Sequence, residues 1–207
     1  MMYSLDLFGT VIFAVTGALA AGRKHLDIFG VVVVALATAL GGGTIRDVTL
    51  GSLPVFWISD PTYIIVAVAG ALATVIIARF VRLPDGFLNV ADAFGLAVFT
   101  VIGTGLALDA SAGPVVAVLM GMMTGVAGGM VRDILTGEVP LILRREIYAT
   151  ASLCGATVFV VLKTYCPEQC AYAFISAVVT LGLRLAALQW NLSLPRFFPK
   201  GTSDAGR

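Results

Sequence analysis

Charge is what this chain of 207 residues has least of. Only 12% of it is Asp, Glu, Lys or Arg, against 59% apolar residues, and its mean hydropathy is +1.00. Soluble domains carry about 25% charged and 45–50% apolar residues. A soluble enzyme is therefore excluded, and a polytopic membrane protein is implied. Histidine occurs once, at His25, in a polar loop with Arg23, Lys24 and Asp27. One histidine supplies neither a histidine metal site nor a Ser-His-Asp triad, and no cofactor is expected. The net charge of +1 gives no basic face for nucleic acid. Cysteine is nearly as scarce. Cys154 falls inside an apolar run and is expected to pack there. Cys166 and Cys170 flank Pro-Glu-Gln in a loop, where a disulfide and two free thiols are both open readings. Basic residues are missing ahead of the first apolar stretch, as is a clear small-residue cleavage site. That stretch reads as a retained span, not a signal peptide.

What is abundant is long apolar sequence. Charge-poor runs cover 7–22, 28–45, 61–78, 93–108, 110–131, 147–162 and 169–183. Each approaches the roughly 20 residues that a bilayer-spanning helix needs. Helices are required because lipid leaves backbone polar groups without partners. The expectation is an all-α integral membrane protein with seven transmembrane helices in a single membrane domain, 1–207. Seven spans place Arg46 and Lys163 on one side of the membrane. Arg23, Lys24, Arg79, Arg82, Arg132, Arg144, Arg145, Arg184, Arg196, Lys200 and Arg207 fall on the other. The positive-inside rule then puts the N-terminus outside and the C-terminus in the cytoplasm. Trp57 and Trp190 lie just beyond spans two and seven, where an interfacial aromatic belt is expected. Arg144-Arg145-Glu146 reads as a topology anchor, with anionic-lipid contact as the second reading.

The chain also repeats itself. At an offset of 86 residues Asp6 meets Asp92, Phe8 meets Phe94, Gly9 meets Gly95, Phe13 meets Phe99 and Gly17 meets Gly103. Further along, Thr38 meets Thr124, Gly42-Gly43 meet Gly128-Gly129, Arg46-Asp47 meet Arg132-Asp133, Gly51 meets Gly137 and Pro54 meets Pro140. Apolar segments match by chance, but Arg-Asp, Gly-Gly and Pro do not fall on one offset that way. Three spans per copy turn the second copy over, so the copies are expected as inverted repeats, about 5–82 and 91–165. A seventh helix, about 169–190, is left unpaired. Inverted repeats of this kind place permeation or substrate sites at the midplane between the halves.

Each copy carries one dense motif: Gly41-Gly42-Gly43-Thr44 with Arg46-Asp47 in the first, and Gly128-Gly129 with Arg132-Asp133 in the second. Glycine weakens a helix by about 1 kcal/mol against alanine, and several together invite a break. Carbonyls freed at such a break suit a cation, and ionisable groups within the bilayer default to function. The alternative is that the glycines only let helices pack closely and the Arg-Asp pairs are helix-end ion pairs. Ala127 stands where the first copy has Gly41, so the second break is expected to be milder. Thr38, Thr44 and Thr124 offer hydroxyls to a pore, or simply pack. Asp6 and Asp92 open their spans, which suits either a helix N-terminus or a cation-attracting vestibule. A P-loop ending and a potassium filter of the Thr-Val-Gly-Tyr-Gly type are both absent.

The paired "GGGTIRD" and "GGMVRD" motifs in a small inverted-repeat membrane protein resemble the TRIC family, the trimeric intracellular cation channels, in its prokaryotic branch. The resemblance covers about residues 5–190. It implies a homotrimer in the plasma (inner) membrane, with a pore in each protomer. The second and fifth spans, kinked at Gly41–Gly43 and Gly128-Gly129, would line that pore for monovalent cations, mainly K⁺. Eukaryotic members carry a basic gating residue in span four. Here that span has no Lys or Arg, so the same gating scheme does not carry over. A second function stays open, a secondary transporter for a small solute such as glycine. An intramembrane enzyme lacks both a nucleophile–base pair and a metal cluster.

Overall fold

The computed structural model describes residues 2–82, 84, 86–144, 147–166 and 171–192. Within them the chain is helical and contains no strand. The elements are α1 (Met2–Arg23), α2 (Ile28–Leu50), α3 (Phe56–Ser59), α4 (Thr62–Phe80), α5 (Phe87–Asp109), α6 (Pro114–Leu135), α7 (Leu141–Arg144), α8 (Ala149–Tyr165) and α9 (Tyr172–Gln189). Six of these are long and apolar enough to cross a membrane; α8, the expected sixth span, has 17 residues. That length sits at the lower end of the spanning range.

Side-chain contacts fix which helix ends lie together. The Tyr3 hydroxyl at the start of α1 donates to Asp60 just before α4 (2.7 Å), and Lys163 late in α8 donates to Asp109 at the end of α5 (2.9 Å). Lys24, after α1, pairs with Glu138, after α6, at 2.6 Å. The long helices therefore alternate in direction. Arg46 lies toward one end of the bundle and Arg132 toward the other.

The helices meet through small residues, and the contacts recur at the 86-residue offset. The Phe13 and Phe99 rings stack at 4.9 Å between α1 and α5. A Cβ on Gly95 would lie 2.1 Å from the Phe13 ring, and one on Gly9 would lie 3.0 Å from Phe99. Gly17 presses on Thr38 as Gly103 presses on Thr124. Without a strong hydrophobic drive between helices in lipid, such close backbone approach supplies the packing contact.

The glycine motifs do not end their helices. α2 runs without interruption through Gly41–Gly43 and Arg46-Asp47 to Leu50, five residues past the expected end of the span. α6 likewise runs through Gly128-Gly129 and Arg132-Asp133 to Leu135. The expected breaks, and the freed carbonyls, are absent. About 1 kcal/mol per glycine is too small to unwind a helix that gains close contacts there. The stops come later, at Gly51 (φ 70°) and Gly137 (φ 67°), both in the left-handed region that a side chain resists.

Candidate functional site

The site is built where α2 crosses α6. A Cβ on Gly42 would lie 2.4 Å from the carbonyl oxygen of Thr124, and a Cβ on Gly128 would lie 2.6 Å from that of Thr38. The crossing is reciprocal, each glycine meeting the carbonyl four residues before its counterpart. Gly41 has no such constraint, with Val131 at 3.5 Å. Its replacement by Ala127 in the second motif therefore breaks no symmetry at the crossing. Gly43 and Gly129 do a second job. Phe56 of α3 closes over Gly43, where a Cβ would lie 2.5 Å from its ring. The Tyr148 hydroxyl and Asp92 close over Gly129.

On either side of the crossing lies a buried charge cluster. At one end, Arg46 Nε donates to Asp47 Oδ1 at 2.8 Å, and the guanidinium lies 5.5 Å from the centre of the Phe56 ring. At the other, Arg132 Nε donates to Asp133 Oδ1 at 2.9 Å. The second carboxylate oxygen of each aspartate ties down the chain beyond the helix. Asp47 Oδ2 accepts from the Phe56 amide and Asp133 Oδ2 from the Leu141 amide, both at 2.9 Å. The Arg-Asp motif is thus a hook that folds α3 and α7 back against their own helices. These two short helices are not legible from hydropathy.

The clusters differ in one contact. Arg132 Nη1 donates to Asp92 Oδ1 at 2.6 Å. No hydrogen bond joins Arg46 to Asp6 within the described residues. Asp6 Oδ2 instead accepts from the Tyr63 hydroxyl at 3.2 Å; among the described residues Asp6 Oδ1 and Arg46 Nη1 are buried without a hydrogen-bond partner, as is Asp92 Oδ2 in the other cluster. Neither aspartate stands at a helix N-terminus as expected. α1 and α5 begin four and five residues earlier, so Asp6 and Asp92 are carried into the second turn and buried.

The remaining candidates are placed as follows. Thr38 and Thr124 donate back to the Val34 and Met120 carbonyls of their own helices, each at 2.6 Å, and are buried. Thr44 bonds back to Leu40 and accepts from Trp57 Nε1 at 3.0 Å. Trp57 therefore has an internal partner, whereas Trp190 is exposed. Cys154 faces outward from α8 instead of packing. Cys170 lies outside the described residues, and so does any pairing with Cys166. Arg144 meets Glu138; Arg145 and Glu146 lie outside the described residues, as do Arg196, Lys200 and Arg207. Among the described residues no cluster of His, Cys, Asp or Glu has the makings of a metal site.

Two participants escape a reading of motifs. Tyr148, just before α8, and Arg184, on α9, are both buried, with the guanidinium 4.8 Å from the centre of the tyrosine ring. Arg184 is the one charged residue of α9, and an intramembrane arginine is itself a signal of function. Arg132, Asp133 and Arg184 line a cavity of about 380 Å³ at their end of the bundle.

Known proteins resemble this chain in sequence and in fold. The glycine transporter family model matches the chain twice, over residues 3–79 and 89–164; the two starts differ by the same 86 residues as the internal repeat. The inner membrane protein YadS of Escherichia coli K12, of the UPF0126 family, is 48% identical over 95% of this chain and 96% of its own. Among solved structures, the TRIC trimeric intracellular cation channel orthologue from Rhodobacter sphaeroides has a TM-score of 0.88 and 44% identity, over 92% of this chain and 98% of that one. A structure solved for the basis of conductance through TRIC cation channels has a TM-score of 0.86 and 36% identity, over 96% and 98%. The fold and its paired charge clusters thus define an all-helical, multi-pass membrane protein of the cation-channel class, with ion channels and not enzymes as its structural neighbours. The chain belongs to the UPF0126 family, in the prokaryotic TRIC group. The word glycine in the matching model names that family and carries no substrate.

Proposed function

We propose that the chain is a monovalent-cation channel, with K⁺ as its main permeant ion. Each protomer of a homotrimer in the plasma (inner) membrane has its own pore. The observation that carries this reading is the stacking of two buried charge clusters on either side of the α2–α6 crossing. Asp6, Arg46 and Asp47 lie on one side, and Asp92, Arg132 and Asp133 on the other. Buried charges in a membrane protein are costly and mark ion pathways. The pore is then lined by α2 and α6, and the glycines set how closely these helices approach. The TRIC cation channels among the solved structures support the same reading, as does the trimeric state of the Rhodobacter sphaeroides relative.

The architecture we infer is three helices plus three plus one. α1, α2 and α4 form one half, α5, α6 and α8 the inverted half, and α9 the unpaired helix. Reciprocal Gly42–Thr124 and Gly128–Thr38 contacts support an inverted relation, because only a two-fold arrangement exchanges both partners at once. Arg23, Lys24, Arg79, Arg82, Arg132, Arg144 and Arg184 line cavities toward one end of the bundle, which supports a cytoplasmic position for that end and an outside position for the N-terminus. Anionic lipid is the natural contact for the exposed arginines.

Single-channel recording of purified protein in planar bilayers under asymmetric KCl tests the reading. Unitary currents reversing toward the K⁺ equilibrium potential are expected. Saturable, competable glycine uptake without unitary current would replace it with the alternating-access transporter.

A further inference from the structure

We infer that a groove beside the end of α4 is a binding site for one anionic phospholipid, with the phosphate on Arg79 and Arg82 and an acyl chain along the apolar wall next to them. The inference narrows to a single site the lipid contact read above for the exposed arginines. It needs a chain that spans a membrane, not one that conducts. The groove lies among α1, α4 and the starts of α2 and α5 and holds about 560 Å³. Pockets that take small ligands hold about 300–1,000 Å³. Leu19, Ile28, Val31, Val75, Ala78 and Phe87 supply its wall. Thr74 is the one hydroxyl in the described lining, and it is committed to the Gly70 carbonyl at 2.7 Å. Thr74 and Val75 stand roughly 6–8 Å from Arg79 along the helix axis. The groove therefore runs from a charged mouth into an apolar trough.

Its charged lining residues are Arg23, Arg79 and Arg82. Arg23 is engaged within the protein, so the headgroup falls to Arg79 and Arg82, both exposed. No acid lines the groove among the described residues. Of the acids on adjoining elements, Asp27 caps α2 by accepting from the Gly30 amide at 2.7 Å. Asp92 pairs with Arg132, and Glu138 bridges Lys24 and Arg144. Asp85 lies outside the described residues. Guanidinium groups suit phosphate oxygens, which they can grip in pairs. A free phosphate would use the arginines and leave the trough bare; a phospholipid uses both. α4 also exposes Leu72, Ile76 and Phe80, so the trough opens onto an apolar surface. Phosphatidylethanolamine offers the same phosphate but adds an ammonium, which the arginines repel. The site should therefore select an anionic headgroup.

Native mass spectrometry of the detergent-purified protein tests this, with phosphatidylglycerol and phosphatidylethanolamine of identical acyl chains as probes. The parent should retain one phosphatidylglycerol per chain, saturably and in preference to phosphatidylethanolamine. Each arginine near a membrane surface contributes about fivefold to the binding of anionic lipid. Arg79→Gln with Arg82→Gln should therefore cut the preference at least tenfold. Arg144→Gln removes a charge from another cavity and should leave the preference unchanged. Ala78→Trp keeps both arginines but fills the trough, and should weaken phosphatidylglycerol binding severalfold; where it does not assemble, Ala78→Leu replaces it. Asp85→Asn should preserve or raise the preference. A parent without phosphatidylglycerol preference refutes the lipid contact altogether, as when a second copy of the chain seals the groove. A preference that survives loss of both arginines or filling of the trough, falls equally in Arg144→Gln, or is lost in Asp85→Asn overturns this site and leaves the general contact standing.

Discussion

Arg132 of α6 reaches Asp92 of α5 at 2.6 Å, and neither side chain is open to solvent. Their counterparts at the offset, Arg46 and Asp6, make no such bond. Breaking a buried pair by removing one partner strands the other charge and costs about 3–5 kcal/mol. Asp92→Asn is therefore expected to lower the thermal transition of detergent-solubilised protein more than Asp6→Asn does. Equal losses from the two variants would mean that the halves are energetically equivalent despite their geometry.

Single methyl groups probe the crossing. Gly42→Ala and Gly128→Ala place a Cβ within 2.4 and 2.6 Å of carbonyl oxygens on the facing helix. Backbones cannot yield as side chains do, so each variant should lose about 1–3 kcal/mol and change unitary conductance. Gly41→Ala meets only ordinary contact and should be neutral or slightly stabilising through helix propensity. Thermal shift and single-channel recording check the ranking. Parental behaviour of Gly42→Ala would remove the crossing from the pore.

The hook made by Asp47 can be opened without touching the crossing. Asp47→Ala removes the acceptor of the Phe56 amide and leaves Arg46 buried beside an apolar ring. Backbone hydrogen exchange at Phe56–Ser59 should accelerate at least tenfold, as expected for a loss of about 1.4 kcal/mol or more of local protection. Asp133→Ala should do the same around Leu141 and leave α3 protected. Unchanged exchange in both variants would show that α3 and α7 are held by packing alone.

Acid acts on a different contact. Hydrogen bonds from Lys24 and Arg144 hold the Glu138 carboxyl below the usual carboxylate range. A depressed acid stabilises the folded state above its unfolded pKa, and this contribution disappears as pH falls through the lowered folded value. The tie between the α1–α2 loop and α7 should therefore survive at neutral pH and loosen only in strong acid. Glu138→Gln should abolish that acid-dependent component of thermal stability. All three side chains are partly exposed, so the change will be modest and screened by salt.

Much of this fold is written in the hydropathy and the offset. Six of the seven apolar runs became helices that meet the length for a span, and the remaining one, the sixth, became the shorter α8. The Gly and Arg-Asp pairs, picked out because they recur, proved to be the crossing and the hooks. What the residues did not disclose was direction of effect. Three glycines suggest a break, because propensity is visible in a sequence while the carbonyl of Thr124, 82 residues further on, is not. α3 and α7 span four residues each, too short for any periodicity. Arg184 looks like a flanking anchor until the bundle closes around it.

The hooks and the crossing differ in how far they reach along the chain. Asp47 finds Phe56 nine residues on, and Asp133 finds Leu141 eight residues on. The crossing joins Gly42 to Thr124 and needs the second half to exist. Contacts between near neighbours form before those between distant ones. During synthesis the first half can therefore set its own hook while the second is still being made. Biogenesis then becomes the docking of two pre-shaped units, and a lesion in a hook should spoil the shape of one unit before it spoils their union.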